Sequence, residues 1–166
     1  MSRLFDVSNQ VDSDDWYTPA WIFDGLGLMF DLDVAAPDDP VPWIPARDRY
    51  TVGDDGLLQP WHGVVWCNPP YSDPAPWCRR WADHPDGLLL IRQDLSTTAG
   101  QSALAAASTV YVPKGRVDFH RPGRARRQSG ASFSTLILAR GSICDVALSR
   151  LAATYGGISR RLTPPR

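Results

Sequence analysis

Glutamate is absent from this 166-residue chain, and lysine occurs once, at Lys114, against sixteen arginines. Guanidinium groups suit bidentate recognition of phosphates and base edges, although a G+C-rich genome produces the same bias. No run of eighteen apolar residues occurs, which leaves no candidate for a membrane-spanning helix. The polar opening MSRLFDVSNQVDSDD lacks the apolar segment and flanks of a secretory signal, so a soluble, cytoplasmic protein is expected. Cysteine is scarce: Cys67, Cys78 and Cys144 are odd in number and widely spaced, and they form no metal-ligand pattern with His62, His84 and His120. A zinc or disulfide framework is therefore not expected, and Cys67 reads as a small buried residue inside an apolar run. Internal repeats and long linkers are also missing; only a proline-rich stretch from Pro37 to Pro45 interrupts the chain.

What is present suffices for one core, because an apolar content of 43% at this length supports a single domain over residues 1–166. The net charge of −1 conceals an asymmetry. Residues 1–60 carry twelve Asp against three Arg, whereas residues 61–166 carry six Asp against fourteen Lys plus Arg. The two halves are expected to do different work.

Apolar runs mark the strands. LMFDLDVAA ends in acidic and small residues, as a buried parallel strand does when it delivers a loop to a ligand. VVWCN at 64–68, GLLLIR at 87–92, TVYV at 109–112 and FSTLILA at 133–139 follow the same grammar. Helices are predicted near 74–84, 98–107 and 142–154. A first helix is expected after Thr18 as cap and Pro19 in its first turn, with Trp21, Ile22 and Leu26 on one face and Gly25 and Gly27 as stops. The alternation predicts an α/β fold with a compact, mainly parallel sheet flanked by helices and ligands at the carboxyl ends of the strands. Residues 113–132 interrupt it with a short strand, RVDF, and a basic Gly/Pro loop.

The feature that carries chemistry is Asn68-Pro69-Pro70-Tyr71, directly after the strand VVWC and before a Ser-Asp-Pro helix start. An exocyclic amine is a poor nucleophile because its lone pair is delocalised into the ring. A catalyst must hold its hydrogens in acceptors while the nitrogen pyramidalises. The Asn68 side-chain oxygen and the Pro69 carbonyl can supply both acceptors, and successive prolines stiffen the loop that aims them. Tyr71 offers a flat face to a base flipped from a duplex. The competing reading is an ordinary Asn/Pro turn at a strand end. In the basic loop, Lys114, Arg116, Arg121, Arg124, Arg126 and Arg127 stand against one acid, Asp118, which is an electrostatic footprint for DNA phosphates or, failing that, a solvated basic loop.

In order along the chain, WYTPAWIFDGL, FDLDVAA, DDGLLQPWHGVVWCNPPYS, KGRVDF and SGASFSTLIL resemble the phage DNA N6-adenine methyltransferases, a Dam-like branch of the Rossmann-like class I enzymes that depend on S-adenosylmethionine. The resemblance covers most of residues 16–139. It implies methyl transfer to the N6 amine of adenine in double-stranded DNA and a role in protecting phage DNA from restriction. It requires no metal and no obligate protein partner, and it places the protein in the bacterial host cytoplasm. Asn68, Pro69, Pro70 and Tyr71 would be catalytic.

Cofactor contacts are implied at Tyr17, Thr18 and Pro19, and at Asp33, Ala35 and Ala36, together with Asp55 and Asn68. Thr18 could equally be a plain helix cap, Asp31 is an alternative to Asp33, and Asp55-Gly56 could be a simple turn. Arg92 and Asp94 fall near the target pocket without an assigned role, and none of the seven tryptophans is assigned to the site. Rival readings are a cytosine N4 or protein-glutamine methyltransferase and a non-catalytic module that binds DNA or cofactor.

Overall fold

The computed structural model describes residues 16–120 and 131–163. The strands are β1 (Phe30–Asp33), β2 (Ala46–Arg49), β3 (Val65–Cys67), β4 (Gly87–Arg92), β5 (Thr109–Val112), β6 (Val117–Phe119), β7 (Ala131–Phe133), β8 (Thr135–Arg140) and β9 (Ile158–Arg161). The helices are α1 (Ala20–Leu26), α2 (Ala75–Asp83), α3 (Thr98–Ala106) and α4 (Ser142–Tyr155). Seven strands form one sheet in the order β2-β1-β3-β4-β8-β5-β9, and β6 and β7 make a separate antiparallel pair.

Continuous apolar runs explain the centre of the sheet. In β3, β4 and β8 nearly every residue is buried, as strands covered on both faces require. Side-chain alternation divides the core in two. Trp66, Leu88, Leu90, Ile137 and Ala139 face α1 and α4, whereas Val65, Cys67, Leu89, Ile91, Leu136 and Leu138 face α2 and α3. Two helices therefore cover each face. Cys67 is fully buried, as expected.

The pairings β1–β2, β1–β3 and β3–β4 are parallel, but β4–β8, β5–β8 and β5–β9 are antiparallel. The sheet is thus mixed: β8 enters reversed between β4 and β5, and β9 lies reversed at one edge. The expected strand at 133–139 is two elements. β7 ends at Phe133 and pairs with β6, and β8 begins at Thr135 in the main sheet.

The first helix also departs from expectation. Its cap position is Pro19, in extended backbone, so Thr18 lies too far back to cap it. Gly27 ends the helix in the left-handed region at φ 55°. Gly25 instead sits inside the helix, where an added Cβ would press on Leu151 and Tyr155 of α4. Among the described residues no helix is long and apolar enough to cross a membrane.

Candidate active site

After β1 the chain runs outward to β2 and then returns past β1 to β3. A crevice must open at such a reversal, at the carboxyl ends of β1 and β3. A cavity of about 370 Å³ lies there. Asp33, Ala35 and Ala36 enter it from the end of β1, Asn68 and Pro70 from the end of β3, Tyr17 and Thr18 from the segment before α1, and Asp55 and Gly56 from the loop before β3. Sequence reasoning had named all of these. Pro19 does not line the cavity.

Asp33 is the buried charge of this cavity. It is 3% exposed, and its Oδ1 accepts from the Ala35 backbone N–H at 3.2 Å. Burial pushes its pKa from 3.8 up to about 7, offset only in part by that hydrogen bond and by attraction to Arg49. Asp31 has a different duty. Its carboxylate pairs with Arg47 of β2 at 2.9 Å and accepts from the Val64 N–H at 2.8 Å, which holds its pKa below the ordinary value. It ties β2 and β3 to β1 outside the cavity.

The loop carrying Asp55 is held by side chains from α2. Arg80 donates to the carbonyls of Leu57 and Gln59 and lies over the Trp61 ring at 5.0 Å. Asp55 itself takes the left-handed conformation, φ 53°. Gly56 is required for a different reason: an added Cβ would overlap the Val34 carbonyl oxygen and meet the Trp77 ring. Asp55-Gly56 is therefore a close approach between the loop and the end of β1.

Backbone leaving a strand sends successive side chains to opposite sides, and residues 68–71 do the same. Asn68 and Pro70 face the first cavity, whereas Pro69 and Tyr71 face a second, of about 640 Å³. The loop is a partition. Arg92, Gln93 and Asp94 from the end of β4, Arg116 before β6, Thr97 before α3 and Ser134 complete the second cavity. Arg92 stands over the Phe133 ring at 5.0 Å, and Arg116 donates to the Ser132 carbonyl, so both guanidiniums are pinned along β7. Tyr71 is packed by Phe119 and Phe133 in edge-to-face contacts at 6.1 and 5.3 Å. Its hydroxyl is buried without a partner, and burial raises its pKa.

Asn68 is oriented unambiguously. Its Nδ2 donates to the Trp16 carbonyl at 3.2 Å and to Thr18 Oγ1 at 3.3 Å. Its Oδ1 is buried and has no partner. Buried acceptors are satisfied as a rule, and this one is an exception in the wall of the first cavity.

Several lining residues escaped the sequence reading. Trp16, Trp66 and Trp77 line the first cavity, with Ile44, Thr51 and Val52. The only available signal was Trp77, four residues before the fully buried Trp81 on α2. Of the basic loop, Lys114 and Arg116 are exposed, whereas Arg121, Arg124, Arg126 and Arg127 lie outside the described residues. Among the described residues no group of three or more His, Cys or Asp could hold a metal ion.

A family model for DNA N-6-adenine-methyltransferase (Dam) matches residues 7–148. The chain is similar to the DNA N-6-adenine-methyltransferase of Haemophilus phage HP1 (strain HP1c1), at 29% identity over 123 residues, which covers 68% of this chain and 69% of the relative. No solved structure matches at a comparable level. A match of that extent, through the two loops that build the cavity, means that the chain belongs to the DNA N-6-adenine-methyltransferase (Dam) family.

Proposed function

We propose that this protein is a Rossmann-like class I methyltransferase that transfers a methyl group from S-adenosylmethionine to the N6 amine of adenine in double-stranded DNA. The observation that carries the reading is Asn68 Oδ1, a buried acceptor with no partner, fixed by two hydrogen bonds from its own Nδ2. The reversal of strand order around β1 supports the fold assignment.

The first cavity fits the methyl donor. Asp33 is a carboxyl whose pKa is raised by burial, and an ammonium group beside it would favour its charged form. Ala35 and Ala36 leave room for a ligand against the backbone, Asp55 can accept from an adenine amino group, and Trp66, Trp77, Ile44 and Val52 give apolar walls. Tyr17 and Thr18 close the side nearest Asn68, with Pro19 behind them. S-adenosylmethionine bound there supplies an electrophilic methyl group.

The second cavity receives the extruded base. The amine would reach past the edge of the loop, where Asn68 Oδ1 on the first-cavity side and the Pro69 carbonyl on the second take its two hydrogens, which localises the lone pair on nitrogen and turns it toward the methyl donor. Pro69 and Pro70 restrict the loop, and Tyr71 contributes an aromatic wall. Lys114, Arg116 and the basic residues Arg121, Arg124, Arg126 and Arg127 face DNA phosphates in this reading. The methylated base would serve as protection of the DNA that carries it, in a cytoplasmic setting.

The test is transfer of a labelled methyl group from S-adenosylmethionine to unmethylated duplex DNA, followed by nucleoside analysis. Wild type should yield N6-methyladenine. Asn68→Ala should lose transfer by about 100-fold or more, the usual effect of deleting an oriented catalytic hydrogen-bonding group, while keeping its unfolding midpoint. Full activity in Asn68→Ala would sink the mechanism, and label in cytosine would reassign the substrate.

A further inference from the structure

Resting on the reading that Asn68 Oδ1 accepts from the target amine, we propose that Thr18 and the Trp16 carbonyl clamp the catalytic carboxamide, which makes Thr18 a positioning residue rather than a helix cap. Thr18 is 1% exposed and stands ahead of the α1 cap, where its hydroxyl has no helix amide to serve. That hydroxyl meets Asn68 Nδ2 instead, across fifty residues of chain.

Two acceptors on one amide nitrogen fix its orientation. Nδ2 has two hydrogens, and Trp16 O at 3.2 Å and Thr18 Oγ1 at 3.3 Å use both. A carbonyl oxygen cannot donate. Reversing the amide would therefore set Asn68 Oδ1 against Trp16 O and aim an N–H₂ group at the incoming amine, replacing an acceptor by donors. The clamp keeps the acceptor oxygen turned away from the Trp16 carbonyl. A carboxylate at 68 would instead turn one oxygen toward the Trp16 carbonyl.

The segment that does the clamping is itself fixed at several points. Tyr17 and His120 exchange backbone hydrogen bonds at 2.8 and 3.1 Å, and Trp43 Nε1 donates to the Thr18 carbonyl at 2.8 Å. Tyr17 is thus anchored to the chain just after β6, and Thr18 to the proline-rich segment. Those anchors make residues 16–18 a stiff reference against which the loop after β3 is set.

The experiment compares Thr18→Val, which keeps the shape and removes the hydroxyl, with Thr18→Ser, which keeps the hydroxyl. Single-turnover methyl transfer, the Kd for S-adenosylmethionine and thermal unfolding are measured on each. Thr18→Val should lose about 100-fold in transfer rate, the scale of a small misplacement of a catalytic group. Its cofactor Kd should stay within about twofold, and Thr18→Ser should recover transfer to within about threefold of wild type, a split that separates positioning from binding.

Wild-type transfer by Thr18→Val, or a loss that follows weakened cofactor binding, overturns the proposal. If Thr18→Val fails to fold, Thr18→Ala decides: at saturating cofactor its transfer rate should fall on the same scale while its cofactor Kd stays within about twofold of wild type, and wild-type transfer overturns the clamp. Activity in Asn68→Ala would remove the underlying reading instead, so the two failures are distinguishable.

Discussion

At the scale of single residues, Asp33 makes the sharpest prediction. Its folded pKa of about 7 lies above the ordinary 3.8, so the folded state holds a proton that the unfolded chain releases. A raised folded pKa gives stability that is complete below pH 3.8 and is lost as the pH rises to about 7. The loss is on the order of 4 kcal/mol across that window. Asp33→Asn, which never charges, should therefore be more stable than wild type at pH 8 and similar to it at pH 4, by denaturant unfolding. Affinity for S-adenosylmethionine should move oppositely, because an anionic Asp33 is the form that attracts a cation. It should weaken up to about tenfold per unit as pH falls below 7 in wild type, with no such slope in Asp33→Asn. Equal pH profiles for the two proteins in isothermal titration would remove Asp33 from the cofactor site. The sequence offered Asp31 and Asp33 as equivalents two residues apart on one strand face. Only the neighbours separate them: the Val64 amide and Arg47 claim Asp31, and among the described residues no cation forms an ion pair with Asp33.

At the scale of elements, legibility follows burial. β3, β4, β5 and α2, α3 and α4 were predicted within a residue or two because strands buried on both faces and helices packed on them impose apolar patterns. β2, Ala-Arg-Asp-Arg, and β9, Ile-Ser-Arg-Arg, were not predicted, since edge strands are held by backbone pairing and carry charged side chains that show no apolar period. A tertiary tie joins α4 to the start of β5 and touches β9. Asp145, buried in the first turn of α4, accepts from Ser108 Oγ at 2.5 Å and pairs with Arg161 Nη2 at 3.2 Å. Because Arg161 is largely exposed, the ion pair contributes little, and the buried hydrogen bond carries the effect. Asp145→Ala should destabilise the fold by about 2–3 kcal/mol in denaturant titration. A change below about 0.5 kcal/mol, the range of neutral surface substitutions, would show that the Ser108–Asp145 bond adds nothing to the fold.

At the scale of the whole molecule, the charge asymmetry places function. The acidic first third supplies the end of β1 and the loop of Asp55, which line the first cavity, while Arg92 and Arg116 stand on the second. DNA binding should weaken linearly in log salt, and Lys114→Ala and Arg116→Ala should each flatten the slope by about 0.9, one phosphate contact apiece. Arg47→Ala, in the acidic third, should leave the slope alone. A slope indifferent to both basic substitutions would move the DNA face elsewhere. The sequence by itself determined the α/β class, the buried strands, and the loop Asn68–Tyr71 with the chemistry it can perform. Those are local facts, fixed by apolar period and by the functional groups of four adjacent residues. The tertiary structure alone decided that the sheet is mixed, that this loop divides two cavities, that tryptophans wall one of them, and that Thr18 serves Asn68 rather than α1. Each depends on groups tens of residues apart, and their meeting is set by chain reversal and packing rather than by any pattern that neighbouring residues display.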